Sequence, residues 1–357
     1  MRIAIVRREY GGFGGAELYT ERLIRELQQC GHIVELLSSA KACPLPEGAE
    51  FVELKTPKGR AAKIRAFSDA VQSWRASNPR DCVFSLERIS GCDVLRAGDG
   101  MHSAWLDKRR DYSPWWKKFF IGRGAFHKEM LRLEKDAFDP KKTRRIIVNS
   151  EMVKRDILSR THFRPESIHL VRNGIDVSRF KKCKGREALR SQLEASENDC
   201  VLLFIGSGGE RKGLSFVIDA LRMIGSNYKL IVAGKVERVK RCPPNVYFFG
   251  PVIEPGVLYA AADLMVFPPI YEPSSNVVYE SLVAGLPVIT SAENGAHEII
   301  TEGENGITVL NPSDVEQLAA AILQWRNSNG DRRVDFDYDA SMRRNINETL
   351  KVINMGH

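Results

Sequence analysis

The stretch "VLLFIGSGGERKGLSFVIDAL", residues 201–221, joins a short apolar run to a helical pattern through a turn that is rich in glycine. A continuous apolar run of this length is typical of a strand that is buried on both faces, and the pattern after the turn is typical of a helix. Strand followed by helix is the unit from which parallel sheets are built. The stretch therefore predicts one step of an α/β fold.

The same alternation recurs along the rest of the chain. In the second half, strand-like runs occupy 201–206, 229–234, 246–250, 264–269 and 287–291. In the first half they occupy 2–6, 32–38, 50–55, 82–87 and 145–150, and the clearest helix between them covers 16–30 with Gly31 as its C-cap. A charged, weakly patterned segment, 180–200, separates the two sets. We therefore predict two doubly wound domains with a cleft between them, and ligands at the carboxyl ends of the strands.

Composition fits a cytosolic protein. The chain has 357 residues, of which 43% are hydrophobic and 27% charged. It has no run of about 18 apolar residues that could span a bilayer. The first residues lack the pattern of a secretory signal. Seven cysteines without a C-x-x-C pair argue against a disulfide framework and a zinc site. The net charge of +8 suggests an anionic partner: nucleic acid, acidic lipid or a phosphorylated substrate.

A first glycine-rich motif, "GGFGGAELYTERL" at 11–23, follows the first strand. Its glycines let the backbone approach a ligand closely, and the helix behind them offers free amides. The spacing is not G-x-G-x-x-G, which weakens dinucleotide binding, and an ordinary βα turn stays open as an alternative.

The opening stretch contains the second motif. Arg211 and Lys212 lie at the entrance of its helix, where two cations and backbone amides can meet a diphosphate. The spacing is not that of a P-loop, so ATP hydrolysis is not expected. The alternative is a solvated charged turn.

The third motif is "YEPSSNVVYESLVAG", residues 271–285. Glu272 lies in the loop after a predicted strand, and Ser274, Ser275 and Asn276 are natural N-cap residues. A helix that begins near Asn276 places Glu280 about one turn in, where a carboxylate can accept two ribose hydroxyls. An amphipathic helix with an ordinary capping pattern is the alternative.

Taken together, the three motifs resemble the retaining GT-B glycosyltransferases that use sugar nucleotides, and in particular the lipopolysaccharide-core branch of glycosyltransferase family 4. The E-x7-E element of that family matches Glu272 and Glu280, and its downstream "AGLPVI" matches 284–289. The resemblance extends over "VNSEMVKRDI" at 148–157 and "IHLVRNGIDVSRF" at 168–180. It implies an acceptor-side domain over 1–170, a sugar-nucleotide domain over 171–338 and a C-terminal helix, 339–357, that crosses back to the first domain.

The resemblance also implies how the nucleotide is bound. Glu280 would hold the ribose, and Arg211 with Lys212 would hold the diphosphate and its developing charge. Gly14 and Gly15 would lie against the diphosphate from the opposite domain.

For the transferred sugar, the resemblance assigns Glu272, helped by the amides of Ser275, Asn276 and Val277. Many members carry an arginine where this chain has Ser207, so the role of that arginine passes to Arg211. Such enzymes retain the anomeric configuration through fixed cations and helix dipoles. The chain shows no D-x-D in a metal-binding context, so we predict neither a metal nor a cofactor beyond the donor.

The acceptor requires a polar group in the first domain. The segment 91–110 supplies Asp99 and His102 after a short strand-like run. Either side chain could orient or deprotonate a hydroxyl. The branch named above has an aspartate at the position of Asp99, whereas a lone histidine is more often structural.

Residues 103–132 form a basic aromatic segment. They hold eight Lys or Arg against three acidic residues, together with three of the five tryptophans. Large rings beside cations suit a bilayer interface. Single-stranded nucleic acid and packing onto the first domain are the alternatives, but the chain shows no RNA-binding signature. We predict binding to an anionic membrane.

These observations predict a monomeric hexosyltransferase on the cytoplasmic face of the inner membrane. It would move glucose from UDP-glucose to a lipid-linked acceptor, a core heptose of lipopolysaccharide, and bind no nucleic acid. Three alternatives are another donor (UDP-GlcNAc, UDP-galactose or GDP-mannose) in O-antigen or capsule synthesis, an epimerase of the same architecture, and a non-enzymatic basic adaptor that binds membrane or nucleic acid.

Overall fold

The computed structural model describes residues 1–11, 15–181, 184–208, 210–236, 239, 242–330 and 332–355. These residues form two compact units, one made of Met1–Arg172 with Met342–His357 and the other of Asn173–Ser341. Each unit is built on one sheet, and all strand pairings in the described part of the chain's two sheets are parallel. The predicted α/β class with two Rossmann-like sheets is therefore confirmed.

The first unit contains a seven-stranded sheet of order β3-β2-β1-β4-β5-β6-β7. Its strands are β1 (Arg2–Val6), β2 (Ile33–Ser38), β3 (Glu50–Glu53), β4 (Cys82–Ser85), β5 (Val94–Arg96), β6 (Arg145–Val148) and β7 (Ile168–Leu170). Its helices are α1 (Gly15–Gln29), α2 (Arg60–Ser77), α3 (His102–Asp111), α4 (Trp115–Lys118), α5 (Ala125–Ala137) and α6 (Glu151–Arg160), with a 3₁₀ turn at Pro165–Ser167. The chain runs outward from β1 to β3 and then returns to β4. Ligands of doubly wound sheets bind beside the carboxyl ends of the strands at such a reversal.

The second unit contains a six-stranded sheet of order β10-β9-β8-β11-β12-β13, which reverses between β8 and β11. Its strands are β8 (Cys200–Ile205), β9 (Tyr228–Ala233), β10 (Val246–Gly250), β11 (Leu264–Phe267), β12 (Val288–Ser291) and β13 (Gly306–Val309). Its helices are α7 (Arg186–Gln192), α8 (Leu214–Ile224), α9 (Gly256–Ala261), α10 (Asn276–Val283) and α11 (Val315–Asn329). Three 3₁₀ turns lie at Val177–Arg179, Glu210–Lys212 and Gly295–Ile299.

The last helix, α12 (Met342–Asn354), belongs to the first unit. Its apolar face, with Ile346 and Ile353, is part of the core that includes Leu23 of α1. The side-chain amide of Asn345 donates to the carbonyl of Arg172 at 2.6 Å. The helix is thus held by both apolar packing and a partly buried hydrogen bond.

Two strands and one helix lie where the sequence predicts none. The strands β7 and β13 are short and lie at the edges of their sheets, where the apolar runs that mark central strands are weak. The helix α7 lies within the charged segment 180–200, and its Leu189 is buried in the core of the second unit. That segment is therefore in part a structural element of the second unit.

The basic aromatic segment, residues 103–132, contains most of α3, all of α4 and the first half of α5. Its aromatic side chains divide between two environments. Trp105 and Phe126 are half-buried. The four rings on and just after α4 are exposed: Trp115, Trp116, Phe119 and Phe120. Helices of the length and apolar character needed to cross a bilayer are absent from the described residues.

Candidate active site

The turn after β8 is pressed against the end of β11. Gly213 has φ +78°, and a Cβ added there would lie 2.0 Å from the carbonyl oxygen of Pro268, so only glycine fits. The amide of Ile270 donates to the carbonyl of Arg211 at 3.0 Å across the same contact. This close approach brings the basic pair of the turn beside the loop that carries Glu272.

Arg211, Lys212 and Glu272 form an ionic cluster at the reversal point of the sheet. Lys212 Nζ donates to Glu272 Oε2, and Arg211 Nη1 lies 3.3 Å from the same oxygen. The side chains of Lys212 and Glu272 are only 13% and 12% exposed. Burial and the charge of Arg211 lower the pKa of Lys212, whereas Glu272 acts in the opposite direction. Two cations thus share one carboxylate, which leaves positive charge for an anionic ligand.

The helix α10 begins at Asn276 with Ser275 as its N-cap, as the third motif predicts. Ser275 makes no side-chain capping bond to the helix. Instead, its hydroxyl accepts a hydrogen bond from Asn294 Nδ2 at 2.8 Å. The first amides of the helix, including that of Val277, have no partners within the helix and carry the positive end of its dipole. They can therefore donate to a ligand.

Asn294 holds the loop before α10 in place and has no assigned role in the sequence prediction. Its side chain is fully buried. Besides the bond to the Ser275 hydroxyl, Nδ2 donates to Thr290 Oγ1 at 3.0 Å. Its Oδ1 accepts from the amides of Ser275 and Ala296 at 3.3 and 3.1 Å. Every hydrogen-bonding direction of this amide is thereby used to fix the loop.

Asn173 fixes the same loop from another side. Its Nδ2 donates to the carbonyl of Ser274 at 2.8 Å and to Asn276 Oδ1 at 2.9 Å. Both asparagines precede a glycine, in "RNG" at 172–174 and "ENG" at 293–295. Asn-Gly pairs mark turns. The sequence therefore contains a signal for two turns, but nothing that connects either of them to α10.

Glu280 lies on α10 and is oriented by Tyr259, which the sequence prediction does not include. The hydroxyl of Tyr259 donates to Glu280 Oε2 at 2.7 Å. Burial raises the pKa of Glu280, while the bond from Tyr259 and the charge of Arg179 act in the opposite direction. With one oxygen held, the carboxylate presents its other oxygen in a fixed direction.

In the first unit, Asp99 and His102 have different surroundings. Asp99 is exposed on the turn after β5, whereas His102 is buried. His102 Nε2 lies 2.9 Å from His127 Nδ1. Burial, with the charges of Arg88, His127 and Arg60, lowers the pKa of His102 to about 4. Because His102 is buried against His127 and Asp99 is exposed, Asp99 is the more accessible of the two side chains.

Three further positions are singled out in the sequence, namely Gly14, Gly15 and Ser207. Gly14 lies outside the described residues, and Gly15 is the first residue of α1. Ser207 Oγ accepts a hydrogen bond from the amide of Lys235 at 3.0 Å, so it braces the neighbouring loop. The described residues contain no group of three His, Cys, Asp or Glu side chains that could hold a metal ion.

Two family descriptions match the chain, one in each half. Residues 13–179 match "Glycosyltransferase Family 4", and residues 185–343 match "Glycosyl transferases group 1". The first region includes residues 13–23 of the first glycine-rich motif, and the second includes the second and third motifs.

Known proteins resemble the chain over nearly its whole length. The lipopolysaccharide glucosyltransferase WaaG of Escherichia coli K12 is 25% identical over 337 residues, which are 89% of this chain and 87% of that protein. A crystal structure of WaaG superposes with a TM-score of 0.74 at 21% identity and covers 99% of this chain and 96% of the other. The HepE protein of Anabaena, crystallised with UDP-glucose, superposes with a TM-score of 0.65 at 18% identity and covers 98% and 99%.

Proposed function

Because the chain belongs to the GT-B glycosyltransferases, with a family 4 domain followed by a group 1 domain, we propose that it transfers a hexose from a UDP-sugar to a lipid-linked saccharide. The observation that carries this proposal is the cluster of Arg211, Lys212 and Glu272 beside the first turn of α10. Cations and helix amides at the reversal point of a doubly wound sheet suit a diphosphate.

Different residues bind the diphosphate and the ribose of the donor. Lys212 and Arg211 share their charge between Glu272 and the diphosphate, and they stabilise the negative charge that develops on the leaving phosphate. Glu280 accepts a ribose hydroxyl on the oxygen that Tyr259 leaves open. Glu272, with the amides at the start of α10, faces the transferred sugar.

The reaction that these groups support proceeds with retention and without a metal. Fixed cations and a helix dipole supply the stabilisation that a metal ion gives in other transferases. Asp99 orients the attacking hydroxyl of the acceptor. Product configuration by NMR tests retention, and unchanged turnover after chelation with EDTA tests metal independence.

Replacing Glu280 with alanine tests the ribose contact. A hydrogen bond to a charged group contributes about 1.5–3 kcal/mol, so we expect the affinity for a UDP-sugar to fall by about 10- to 150-fold. The pKa of Glu280 is raised, so this carboxylate is protonated at a higher pH than an ordinary glutamate. The affinity of the wild type for the UDP-sugar should therefore begin to fall at that higher pH on acidification. Glu280→Gln should remove this pH dependence. Isothermal titration calorimetry measures both effects.

The matched control for that experiment is Glu316→Ala, which removes an exposed glutamate from the same unit. It should bind the donor like the wild type. If Glu280→Ala bound the UDP-sugar with the same affinity as the wild type, Glu280 would not contact the ribose.

The donor is proposed as UDP-glucose and the acceptor as a core heptose of lipopolysaccharide. WaaG is a lipopolysaccharide glucosyltransferase and HepE binds UDP-glucose, which supports this choice. A thermal-shift screen against UDP-glucose, UDP-GlcNAc, UDP-galactose and GDP-mannose identifies the donor, because a specific ligand raises the melting temperature. Stabilisation by none of them would favour a non-enzymatic adaptor.

The exposed rings of the basic aromatic segment support a further part of the proposal, which is peripheral binding to an anionic cytoplasmic membrane surface. Trp115 is 75% exposed and Phe120 is 73% exposed, although both are large and apolar. Lys117 and Lys118 lie on the same short helix, α4. Rings that enter the headgroup region next to lysines that bind anionic lipid would bring the enzyme to a lipid-linked acceptor.

The variant Trp115→Ala/Trp116→Ala/Lys117→Glu/Lys118→Glu tests this surface. The two lysines alone account for about 2 kcal/mol of attraction to an anionic surface, and the lost rings reduce insertion further. We expect loss of sedimentation with liposomes of phosphatidylglycerol and phosphatidylethanolamine, while activity on a short soluble acceptor persists. Lys58→Glu/Lys141→Glu, at exposed sites outside the segment, should still sediment. Persistent binding of the fourfold variant would show that another surface contacts the membrane.

A further inference from the structure

A cavity of about 180 Å³ lies in the first unit. Its polar lining consists of Arg8, Glu87, Arg88 and Asp99. Arg8 follows β1, Glu87 and Arg88 follow β4, and Asp99 follows β5. These are neighbouring strands, and β1 and β4 flank the reversal point of this sheet. The cavity therefore occupies the position where doubly wound sheets bind small molecules.

The charges that line the cavity are balanced. Arg8 Nη1 lies 3.7 Å from Glu87 Oε2, and the amide of Arg8 donates to Glu87 Oε1 at 3.3 Å. Arg88 Nε lies 3.8 Å from Oε2 of the buried Glu134. An added anion would meet Glu87 and Asp99 as well as the two guanidinium groups, and burying an unpaired charge is costly. Alternating donors and carboxylates instead suit the hydroxyls of an uncharged ligand.

The rest of the cavity lining is apolar. It is formed by side chains of α2 and α5, among them Phe67, Phe126 and Met130. Aromatic and aliphatic side chains suit the C–H face of a sugar ring, whose other edge carries the hydroxyls. A volume of about 180 Å³ offers room for a ligand of the size of one sugar ring.

Arg88 also fixes the turn that carries Asp99. Its Nη2 donates to the carbonyls of Asp99 and Gly100. Its partner Glu134 accepts from the amides of His102 and Ser103 and so caps α3, which begins directly after this turn. The backbone of the turn that carries Asp99 is thus fixed by the partly buried Arg88 and the buried Glu134.

We infer that this cavity binds the reacting sugar ring of the acceptor, that the ring is uncharged, and that Arg8 and Glu87 position its hydroxyls beside Asp99. The inference rests on the proposed function and specifies its acceptor. A phosphate or carboxylate on the reacting ring would be rejected. Charged groups elsewhere on the acceptor would lie outside the cavity.

Two variants alter the cavity in different ways. Met130→Trp fills it, and Phe126→Ala removes part of the apolar lining. We expect each to raise KM for the acceptor at least tenfold, while the rate of UDP-sugar hydrolysis by water and the Kd for UDP stay within twofold of wild type. Lys128→Ala, on the exposed side of the same helix, is the matched control and should change none of these values. Melting temperatures verify that each variant is folded. If one of the two variants misfolds, the other still tests the inference.

The charge preference is tested with small probes. Methyl α-glycosides of hexoses and heptoses should give saturation-transfer NMR signals with the wild type and lose them with Met130→Trp. The corresponding 6-phosphates and hexuronic acids should give weaker signals. Stronger binding of the charged probes, or an unchanged acceptor KM in both variants, would overturn the inference. Absence of UDP-sugar binding by the wild type would instead contradict the proposed function, so the two failures are distinguishable.

Discussion

We expect Lys212→Ala to lower kcat for hexose transfer by about 10²- to 10³-fold, the effect of removing one preorganised group that stabilises charge in a transition state. Lys212 is nearly buried and bound to Glu272. Its ammonium is therefore held in place before the donor arrives, and little reorganisation is needed as charge develops on the leaving phosphate. Initial rates at saturating donor and acceptor measure the effect.

The same substitution should also weaken donor binding, for a separable reason. Without Lys212, the charge of Glu272 is balanced only by Arg211, whose Nη1 lies 3.3 Å away. The remaining carboxylate then repels the diphosphate. The double variant Lys212→Ala/Glu272→Gln should recover part of the donor affinity, measured by calorimetry, but not kcat. Such partial recovery separates the effect of Lys212 on donor binding, through the charge of Glu272, from its effect on kcat.

Arg222→Ala provides the control for Lys212. Arg222 is a partly exposed cation near the other end of α8, where it pairs with Asp219. Its removal should leave kcat and donor affinity unchanged. A kcat of Lys212→Ala within threefold of wild type would show that this lysine serves the fold and not the reaction.

The second large effect concerns stability. Asp263 is almost fully buried directly before β11, and its carboxylate pairs with Arg186 at 2.6 Å and Arg190 at 2.7 Å. It also accepts from the amide of Val201 in β8 at 2.8 Å. Asp263→Ala removes a buried carboxylate and leaves two partly buried guanidinium groups without it, so we expect a loss of about 3–5 kcal/mol in the free energy of unfolding. Urea denaturation measures this loss.

The pH dependence of stability supplies an independent check. Although burial raises the pKa of Asp263, the hydrogen bonds from Val201, Arg186 and Arg190 outweigh it and hold the pKa below its ordinary value. The stabilisation is therefore present above the unfolded pKa of about 3.9 and is lost as the pH falls through the lower folded value. The difference in stability between wild type and Asp263→Asn should narrow below about pH 4.

Asp219→Asn is the matched control for Asp263, because Asp219 forms an exposed pair with Arg222 on one helix. Exposed pairs contribute little, about 0.2–1 kcal/mol. Equal destabilisation by Asp219→Asn and Asp263→Asn would mean that burial of the Asp263 pair has no special energetic role.

The central strands, the two glycine-rich motifs and the E-x7-E motif could be predicted from the sequence because their signals are local. A buried parallel strand is a short apolar run wherever it occurs, as in β8 and β11. Edge strands such as β7 and β13 lack that signal. The helix α7 is hard to predict because its many charged residues obscure the helical pattern of apolar positions. Arg186 and Arg190 of α7 look like surface residues until Asp263, more than seventy positions later, is placed beside them.

The candidate site divides in the same way. The sequence by itself determined the two-sheet α/β class and drew attention to four charged residues, Arg211, Lys212, Glu272 and Glu280. The first three lie in loops that follow strands, and Glu280 lies in the helix after one of these loops. Only the tertiary structure showed that Lys212 and Arg211 share the carboxylate of Glu272, that Tyr259 orients Glu280 and that Asn173 and Asn294 fix the loop between them. The physical reason is that strand and helix formation depend on neighbours in sequence, whereas ion pairs and buried hydrogen bonds depend on which strand ends the sheet order places side by side.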